Sequence, residues 1–270
     1  MLDVSSYRDC NFAEPPVYWD IGSRYGIKKP WDELARAGYI RAIGFEPHPE
    51  ECARMNAMEN GMTHFPYALG ECDGEGILYV TRNPGCSSLL KPNMEVLKDY
   101  KFQTHGWDIM EEIPIPIVEG NTLIEDGIVP APQFMKLDVQ GYEAFVLKGL
   151  DRYLDGVWGF EIETHFRELY KGEKLFFEMY EWLTVEHNFT LRQLDSVSWY
   201  DGDQVEWIAH FTKGPGPLTP GPQYLIDRFW SKMQGLDEPR MSAKSDKARV
   251  DSPFHAESLA DMAYYEKYPY

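Results

Sequence analysis

Short apolar runs, each followed by an acid, a glycine or a proline, recur along this chain and set the first expectation of its fold. Runs of about four to eight apolar residues bounded by turn residues are typical of buried strands. On this basis, strands are predicted at residues 17–21, 40–46, 63–69, 77–81, 113–118, 134–139 and 157–163.

Helix signals alternate with these strands. Helices are predicted at residues 49–61, 142–154 and 174–187. Pro49 suits a first helical turn, and Gly61 suits a C-terminal stop. The pair Asp201-Gly202 separates two further apolar runs, which is typical of a hairpin. The alternation predicts an α/β fold with helices on both faces of a mostly parallel sheet, to which the hairpin adds one antiparallel strand.

The expected organisation is one domain with additions at both ends. Residues 1–16 are polar, end in two prolines and are interpreted as a leader, whereas residues 17–213 form the main domain. The alternation weakens over residues 71–119, which we interpret as an insertion that shapes the mouth of a pocket. A Gly- and Pro-rich stretch opens the extension at residues 214–270. This extension ends in a tyrosine-rich segment, through which the chain would dock on its own body or form a homo-oligomer.

The composition limits the kinds of partner and the cellular location that are expected for this chain. The net charge of −18 disfavours nucleic acid and anionic membrane surfaces, so neither is expected as a partner. No apolar run reaches the ~18 residues that span a bilayer, and no basic segment followed by an apolar one opens the chain. A cytoplasmic location is therefore expected. The four cysteines form no C-x-x-C pair and are interpreted as reduced thiols.

A glycine turn follows the first predicted strand, and an acid follows the second. Asp20, Gly22 and Ser23 form the turn, whose glycine lets the backbone approach a ligand closely, and the helix that follows would present free N–H groups. Glu46 lies about two dozen residues further on, where a carboxylate commonly accepts hydrogen bonds from two ribose hydroxyls. The pair predicts a nucleoside-type ligand. Arg24 stands where a dinucleotide fingerprint needs its second glycine, which weakens the alternative of NAD.

Polar residues also cluster at two later strand ends. Asp138 and Gln140 close one strand, and Glu161, Glu163 and His165 close the next. If these strands are neighbours, one cleft receives them all, and one carboxylate or the imidazole can act as a base. The candidate catalytic residues are therefore Asp138, Glu163 and His165, which we do not rank. Acids of this cluster holding a divalent metal are an alternative, and no metal ligand is predicted.

Together these residues resemble the FkbM-type family of S-adenosylmethionine-dependent methyltransferases. The resemblance is carried by residues 20–26, Phe45-Glu46-Pro47, Ala68-Leu69-Gly70, Ser87-Ser88-Leu89, residues 136–143 and residues 146–149. It covers about residues 18–212, and its most specific part is residues 136–143. It implies a Rossmann-like class I methyltransferase fold, with a mostly parallel seven-stranded sheet and a final antiparallel strand.

The resemblance also implies a set of cofactor-binding residues. They are Asp20, Gly22, Ser23, Glu46, Pro47, Ala68, Leu69, Asp138 and Gln140. The first three would hold the amino-acid end of S-adenosylmethionine, and Glu46 would bind the ribose. Ala68 and Leu69 would lie near the adenine, and Asp138 and Gln140 beside the sulfonium.

The resulting prediction is an S-adenosylmethionine-dependent O-methyltransferase that acts on a hydroxyl of a carbohydrate or small metabolite. Its partner would be a small-molecule or glycan acceptor. Two alternatives stay open at this point: an NAD-dependent oxidoreductase or epimerase, and a non-catalytic nucleoside-binding module.

Overall fold

The computed structural model describes residues 14–29, 31–58, 61–100 and 104–213, except for the side chain of Trp199. Most of the predicted leader, Cys10 and the whole extension at residues 214–270 lie outside the described residues, as does the oligomer expected through that extension. The strands are β1 (Val17–Ile21), β2 (Arg41–Phe45), β3 (Met62–Phe65), β4 (Ala68–Gly70), β5 (Gly74–Thr81), β6 (Ile109–Glu119), β7 (Phe134–Leu137), β8 (Gly159–His165), β9 (Phe189–Tyr200) and β10 (Asp203–Lys213). The α-helices are α1 (Trp31–Arg36), α2 (Pro49–Asn56), α3 (Met94–Leu97), α4 (Gly120–Glu125), α5 (Glu143–Lys148) and α6 (Phe176–Val185).

Within the described residues, a seven-stranded sheet with the order β3-β2-β1-β7-β8-β10-β9 forms the centre of the molecule. Strand β1 runs parallel to both β2 and β7, and β7 runs parallel to β8. Strand β10 enters antiparallel between β8 and β9. The hairpin before it turns at Asp201 and Gly202, whose φ angles of 50° and 99° suit the tight turn that their sequence predicts. The predicted Rossmann-like class I methyltransferase fold is thereby confirmed.

Side-chain alternation along the strands divides the core between the two faces of this sheet. On one face, Trp19 and Leu137 are fully buried and join a large cluster that includes side chains of α4, α5 and α6. On the other face, Tyr18 stacks on Trp31 of α1, with ring centroids 4.2 Å apart. Burial of one such large side chain stabilises the fold by roughly 1.5–3 kcal/mol.

Two of the predicted elements are divided in the structure. The strand expected over residues 63–69 ends at Phe65, and β4 then joins a second sheet. Pro66 stands at the break, where it has no N–H to continue a ladder. The helix expected over residues 142–154 ends at Lys148 and is followed by a 3₁₀ turn over Asp151–Gly156. Both expectations of a single element were wrong.

The segment 71–119 contributes β5 and β6, which form a small sheet with β4 in the order β4-β6-β5. The middle of this segment, at Lys91 and Asn93, is hydrogen-bonded to the turn that follows β8. The Asn93 N–H donates to the Leu169 carbonyl (2.7 Å), and the Lys171 N–H donates to the Lys91 carbonyl (2.9 Å). The segment is therefore fastened beside the carboxyl end of β8, although its role as a pocket mouth stays a prediction.

Gly149 permits the closest approach between the second sheet and the helix layer. A Cβ at this position would lie 1.8 Å from the carbonyl oxygen of Gly70 in β4. We expect Gly149→Ala to lower the free energy of unfolding by about 1–3 kcal/mol, the usual cost of overpacking. Urea unfolding monitored by circular dichroism measures this change.

The matched control is Gly156→Ala, because a Cβ there meets no described atom within 4 Å. It should alter the free energy of unfolding by no more than about 0.5–1 kcal/mol. Equal losses in the two variants would show that the contact with Gly70 does not constrain the fold.

Candidate active site

The candidate site lies where β1 and β7 meet at the centre of the sheet. From β1 the chain continues to β2 on one side, whereas β7 continues to β8 on the other, and ligands of open α/β sheets bind at such a switch point. The tips are in contact, since the Asp138 N–H donates to the Ile21 carbonyl (3.0 Å). Gly22 has a φ of +84°, and a Cβ there would lie 1.9 Å from the Asp138 carbonyl oxygen. The structure thus brings two predicted site residues together.

The turn after β1 is held by contacts within the protein. The N–H groups of Gly22 and Ser23 both donate to the Phe45 carbonyl, at 3.0 and 3.1 Å. The Ser23 hydroxyl lies 2.8 Å from Nδ1 of His64, and Ser23 is buried. Helix α1 begins only at Trp31, so a turn rather than a helix start follows the glycine. Cofactor binding by Ser23 stays a prediction, whereas its contact with His64 went unforeseen.

Glu46 lies at the neighbouring strand tip, directly after the register partner of Ile21 in β2. It is buried, and its Oε1 accepts a hydrogen bond from the His48 N–H (2.8 Å). Burial raises the pKa of Glu46, while that hydrogen bond and the charge of Arg24 oppose the rise. Pro47 follows it, half-buried. A carboxylate is therefore held one strand away from the glycine turn, as the sequence predicted.

Ala68 and Leu69 are both buried in β4. Their side chains join different hydrophobic clusters: Ala68 packs with Leu78 and Ile115, whereas Leu69 joins the main core. Their predicted position near an adenine ring stays untested.

A buried lysine links the acids of β1 and β7. The ammonium group of Lys136 lies 3.3 Å from Oδ1 of Asp20 and 3.3 Å from Oδ2 of Asp138. Burial raises the pKa of Asp20 to about 6, against the opposing charge of Lys136. Burial alone would also raise the pKa of Asp138, but Lys136, Lys28 and a hydrogen bond from Gln140 together hold it well below its usual range. Asp20 is 1% exposed, so it faces Lys136 rather than open space.

Gln140 joins the two catalytic acids proposed from the sequence. Its Nε2 donates to Oδ1 of Asp138 (3.0 Å) and to Oε2 of Glu163, and its Oε1 accepts from the hydroxyl of Tyr170 (2.8 Å). Burial, followed by the negative charge of Asp138, raises the pKa of Glu163 well above its usual range. The two acids therefore differ: Asp138 favours its ionised form, whereas Glu163 keeps its proton to a higher pH than a free carboxyl group does.

His165 is held as a buried cation. It is 1% exposed, and its Nδ1 lies 2.5 Å from Oε2 of Glu173. Burial lowers the pKa of His165, but the hydrogen bond and charge of Glu173 outweigh this effect and raise it to about 9. An imidazole that is already protonated cannot accept a proton at neutral pH, which disfavours it as the base. Of the three candidates, Asp138 has the most exposed side chain, at 26%.

Several residues of this cluster were missed by sequence reasoning. The sequence did offer a sign of the role of Lys136, because a lysine within a buried strand needs an oppositely charged partner. Glu143 lies in the motif at residues 136–143 that the sequence analysis singled out, although it was given no role there; it is buried, accepts from the Val139 N–H (2.8 Å) and has its pKa raised to about 7 by burial. The contacts of Glu173 with His165 and of Tyr170 with Gln140 were not foreseen, because these partners lie eight and 30 positions away along the chain. Among the described residues, no group of three or more His, Cys, Asp or Glu side chains is arranged to hold a metal ion.

Comparison with protein families decides the assignment. The family described as "Methyltransferase FkbM domain" matches residues 20–191. The chain belongs to the FkbM methyltransferase family. The sequence-based assignment is thereby confirmed, and membership supports S-adenosylmethionine as the cofactor.

A curated relative is the hexuronic acid methyltransferase AglP of Haloferax volcanii, which is 27% identical over 154 residues. The match covers 56% of this chain and 57% of the relative, so the chain spans little more than half the length of that protein.

Solved structures give weaker likenesses. The precorrin-6y C5,15-methyltransferase of Geobacter metallireducens GS-15 matches at a TM-score of 0.39 and 11% identity, covering 78% of this chain and 85% of that one. The 1,6-didemethyltoxoflavin-N1-methyltransferase of Burkholderia thailandensis, solved with S-adenosylhomocysteine, matches at 0.36 and 12% identity, covering 78% and 80%. These scores are too low to add to the argument from topology. In the part of the chain that the structure describes, no helix is long and apolar enough to cross a membrane.

Two buried histidines are expected to differ in protonation at neutral pH. Burial lowers the pKa of His64 to about 4, whereas Glu173 raises that of His165 to about 9. NMR titration of the ring signals should therefore show His165 protonated and His64 neutral at pH 7.

The same shift links His165 to stability. Because its folded pKa exceeds the ordinary value of 6.5, its stabilising contribution is fully present below about pH 6.5 and is lost as the pH rises through about 9. A His165 signal that titrates near pH 6.5 would contradict the ion pair with Glu173.

Proposed function

We propose that this chain is an S-adenosylmethionine-dependent O-methyltransferase that transfers a methyl group to a hydroxyl of a carbohydrate or small metabolite. The observation that carries the proposal is the contact between Gly22 and Asp138 at the switch point of an FkbM-family fold, with Glu46 at the adjacent strand tip.

The chemistry of these residues fits the cofactor. S-adenosylmethionine carries a ribose diol, an ammonium group and a sulfonium. The paired oxygens of the Glu46 carboxylate suit a vicinal diol, and the partly exposed, ionised Asp138 suits a cation. Asp20 and Ser23 are buried beneath this surface, so we assign them to positioning: Asp20 through Lys136, and Ser23 through His64.

The bound cofactor supplies a methyl group that is already electrophilic, so the chain needs no covalent intermediate. Its residues have to align the acceptor hydroxyl and exclude water. Asp138 would accept a hydrogen bond from that hydroxyl and would receive its proton as the C–O bond forms and the methyl–sulfur bond of the cofactor breaks, because the hydroxyl has by then become strongly acidic. Lys136 and Gln140 keep the Asp138 carboxylate in one orientation for this step. We assign Glu163 and His165 to the supporting network, because Glu163 is buried against Gln140 and His165 is paired with Glu173.

A sugar acceptor is favoured by the relative whose name specifies a hexuronic acid. The insertion at residues 71–119 lies beside the carboxyl end of β8, a position suited to holding an acceptor. A small-molecule or glycan acceptor also agrees with the net charge of −18, which disfavours nucleic acid. A cytoplasmic location stays a prediction.

Loss of the Glu46 carboxylate is expected to weaken cofactor binding. Glu46→Gln keeps the size of the side chain but loses the charge, so the Kd for S-adenosylmethionine should rise more than about tenfold, a loss of roughly 1.4 kcal/mol. Isothermal titration calorimetry measures the Kd, and circular dichroism checks the fold. Glu50→Gln, an exposed position on α2, is the control and should bind as the wild type does. An unchanged Kd in Glu46→Gln would remove Glu46 from the site.

Turnover separates the proposed enzyme from both alternatives. Transfer of a labelled methyl group from S-adenosylmethionine is expected to at least one member of a panel of neutral sugars, uronic acids and small hydroxylated metabolites. Calorimetry with NAD run in parallel should show no binding. Binding of NAD alone would favour the oxidoreductase, and cofactor binding without transfer to any acceptor would favour the binding module.

A further inference from the structure

The hydroxyl of Tyr170 joins the insertion to the candidate site. Tyr170 is fully buried in the turn after β8. Its hydroxyl lies 2.8 Å from Oε1 of Gln140, 3.0 Å from the carbonyl oxygen of Cys86 and 3.2 Å from Nε1 of Trp107. Cys86 and Trp107 belong to the insertion, whereas Gln140 contacts Asp138. One phenol therefore touches both sides of the proposed pocket.

The hydrogen bonds that link Trp107, Tyr170, Gln140 and Asp138 form a path in which every donor points from Trp107 towards Asp138. The Gln140 amide nitrogen must face Asp138 and Glu163, because two carboxyl groups surround it. Its oxygen therefore faces Tyr170, which has to donate its only proton there, with the Cys86 carbonyl sharing that proton. The indole N–H of Trp107 can only donate, so it fills a lone pair of the phenol. Such a chain polarises each of its members in the same sense.

The backbone beneath the path is also held by the Tyr170 turn. Gln140 has a φ of 57°, a left-handed conformation that a residue other than glycine keeps only where its surroundings hold it. Gly141 follows at φ 89°, and a Cβ there would lie 2.8 Å from Oε2 of Glu173 and 3.1 Å from Cβ of Tyr170. The turn that contains Tyr170 and Glu173 is thus packed so closely against Gly141 that a side chain at Gly141 would not fit.

We propose that Tyr170 is a positioning residue that couples the insertion to the orientation of Asp138. It fixes the amide of Gln140, which in turn fixes the carboxylate, so a shift of the insertion is passed to the acid at the cofactor site. This inference rests on the proposed function, because Asp138 matters here as a cofactor-binding and catalytic residue.

Tyr170→Phe removes the hydroxyl but keeps the ring that stacks on His165. The Kd for S-adenosylmethionine, measured by calorimetry, is expected to rise about fivefold to tenfold, the usual range for one buried hydrogen bond. Tyr100→Phe is the matched control. Tyr100 is buried in the same hydrophobic cluster as Tyr170 and Trp107, but its hydroxyl accepts a hydrogen bond from Arg167 and does not contact Gln140. Its Kd should stay within about twofold of the wild type.

Two readouts separate positioning from a general loss of packing. In a Gln140→Met background, Tyr170→Phe should weaken binding no further, because the path is already broken. In the single variant, methyl transfer at saturating cofactor and acceptor should also slow, because the loosened amide leaves the Asp138 carboxylate misaligned, whereas a loss of packing alone would leave the kcat of the folded enzyme unchanged. If Tyr170→Phe does not fold, Trp107→Phe tests the same path from the insertion and should show the same non-additivity with Gln140→Met.

The outcomes are distinguishable from those of the proposed function. Should the wild type bind S-adenosylmethionine while Tyr170→Phe matches Tyr100→Phe, or while its effect adds to that of Gln140→Met, the coupling is wrong and the function stands. If the wild type binds no S-adenosylmethionine, the proposed function is contradicted, and so is this inference, which rests on it.

Discussion

The ammonium group of Lys136, buried between two carboxylates, is the interaction on which the candidate site depends. It lies at equal distances from Asp20 of β1 and Asp138 beyond β7, so the tips of the two central strands share one cation. Breaking such a buried pair typically costs about 3–5 kcal/mol, yet replacing it by apolar residues is often neutral. Stability alone therefore does not account for it. Its consequence is an ionised, partly exposed carboxylate at the switch point of the sheet, which is where ligands of this architecture bind.

The interior around Asp138 is unusually rich in acids, and the charges are balanced by different means. Lys136 compensates Asp20 and Asp138, while the protonated imidazole of His165 compensates Glu173. Burial and the negative charge of Asp138 raise the pKa of Glu163, which favours its protonated form and limits the repulsion between the two acids. Among the three candidate catalytic residues, Asp138 has the most exposed side chain, and Lys136 and Gln140 hold its carboxylate in place. Such an arrangement suits the positively charged cofactor that we propose for this site.

The proposed cofactor contacts lie at the ends of central strands and extend to the sheet of the insertion. Gly22, Glu46 and Asp138 follow β1, β2 and β7, whereas the insertion at residues 71–119 forms its own small sheet with β4, the strand of Ala68 and Leu69. The break at Pro66 is what lets the chain leave the central sheet there. The turn after β8 then joins the two regions through backbone pairing and through the hydroxyl of Tyr170. An insertion built in this way can vary with the acceptor while the strand tips stay unchanged.

The sequence by itself determined the features that depend on near neighbours in the chain: the buried strands, the hairpin at Asp201-Gly202, and the glycine and acids at the strand ends that indicate the family. Only the tertiary structure decided which of those acids are charged and which side chains face the cleft. The reason is physical, because burial and distant partners set each protonation state. Lys136 meets an acid 116 positions away, and Tyr170 meets a carbonyl 84 positions away. The spacing of residues along the chain does not indicate such contacts, because they form only when the fold places distant strands and turns side by side.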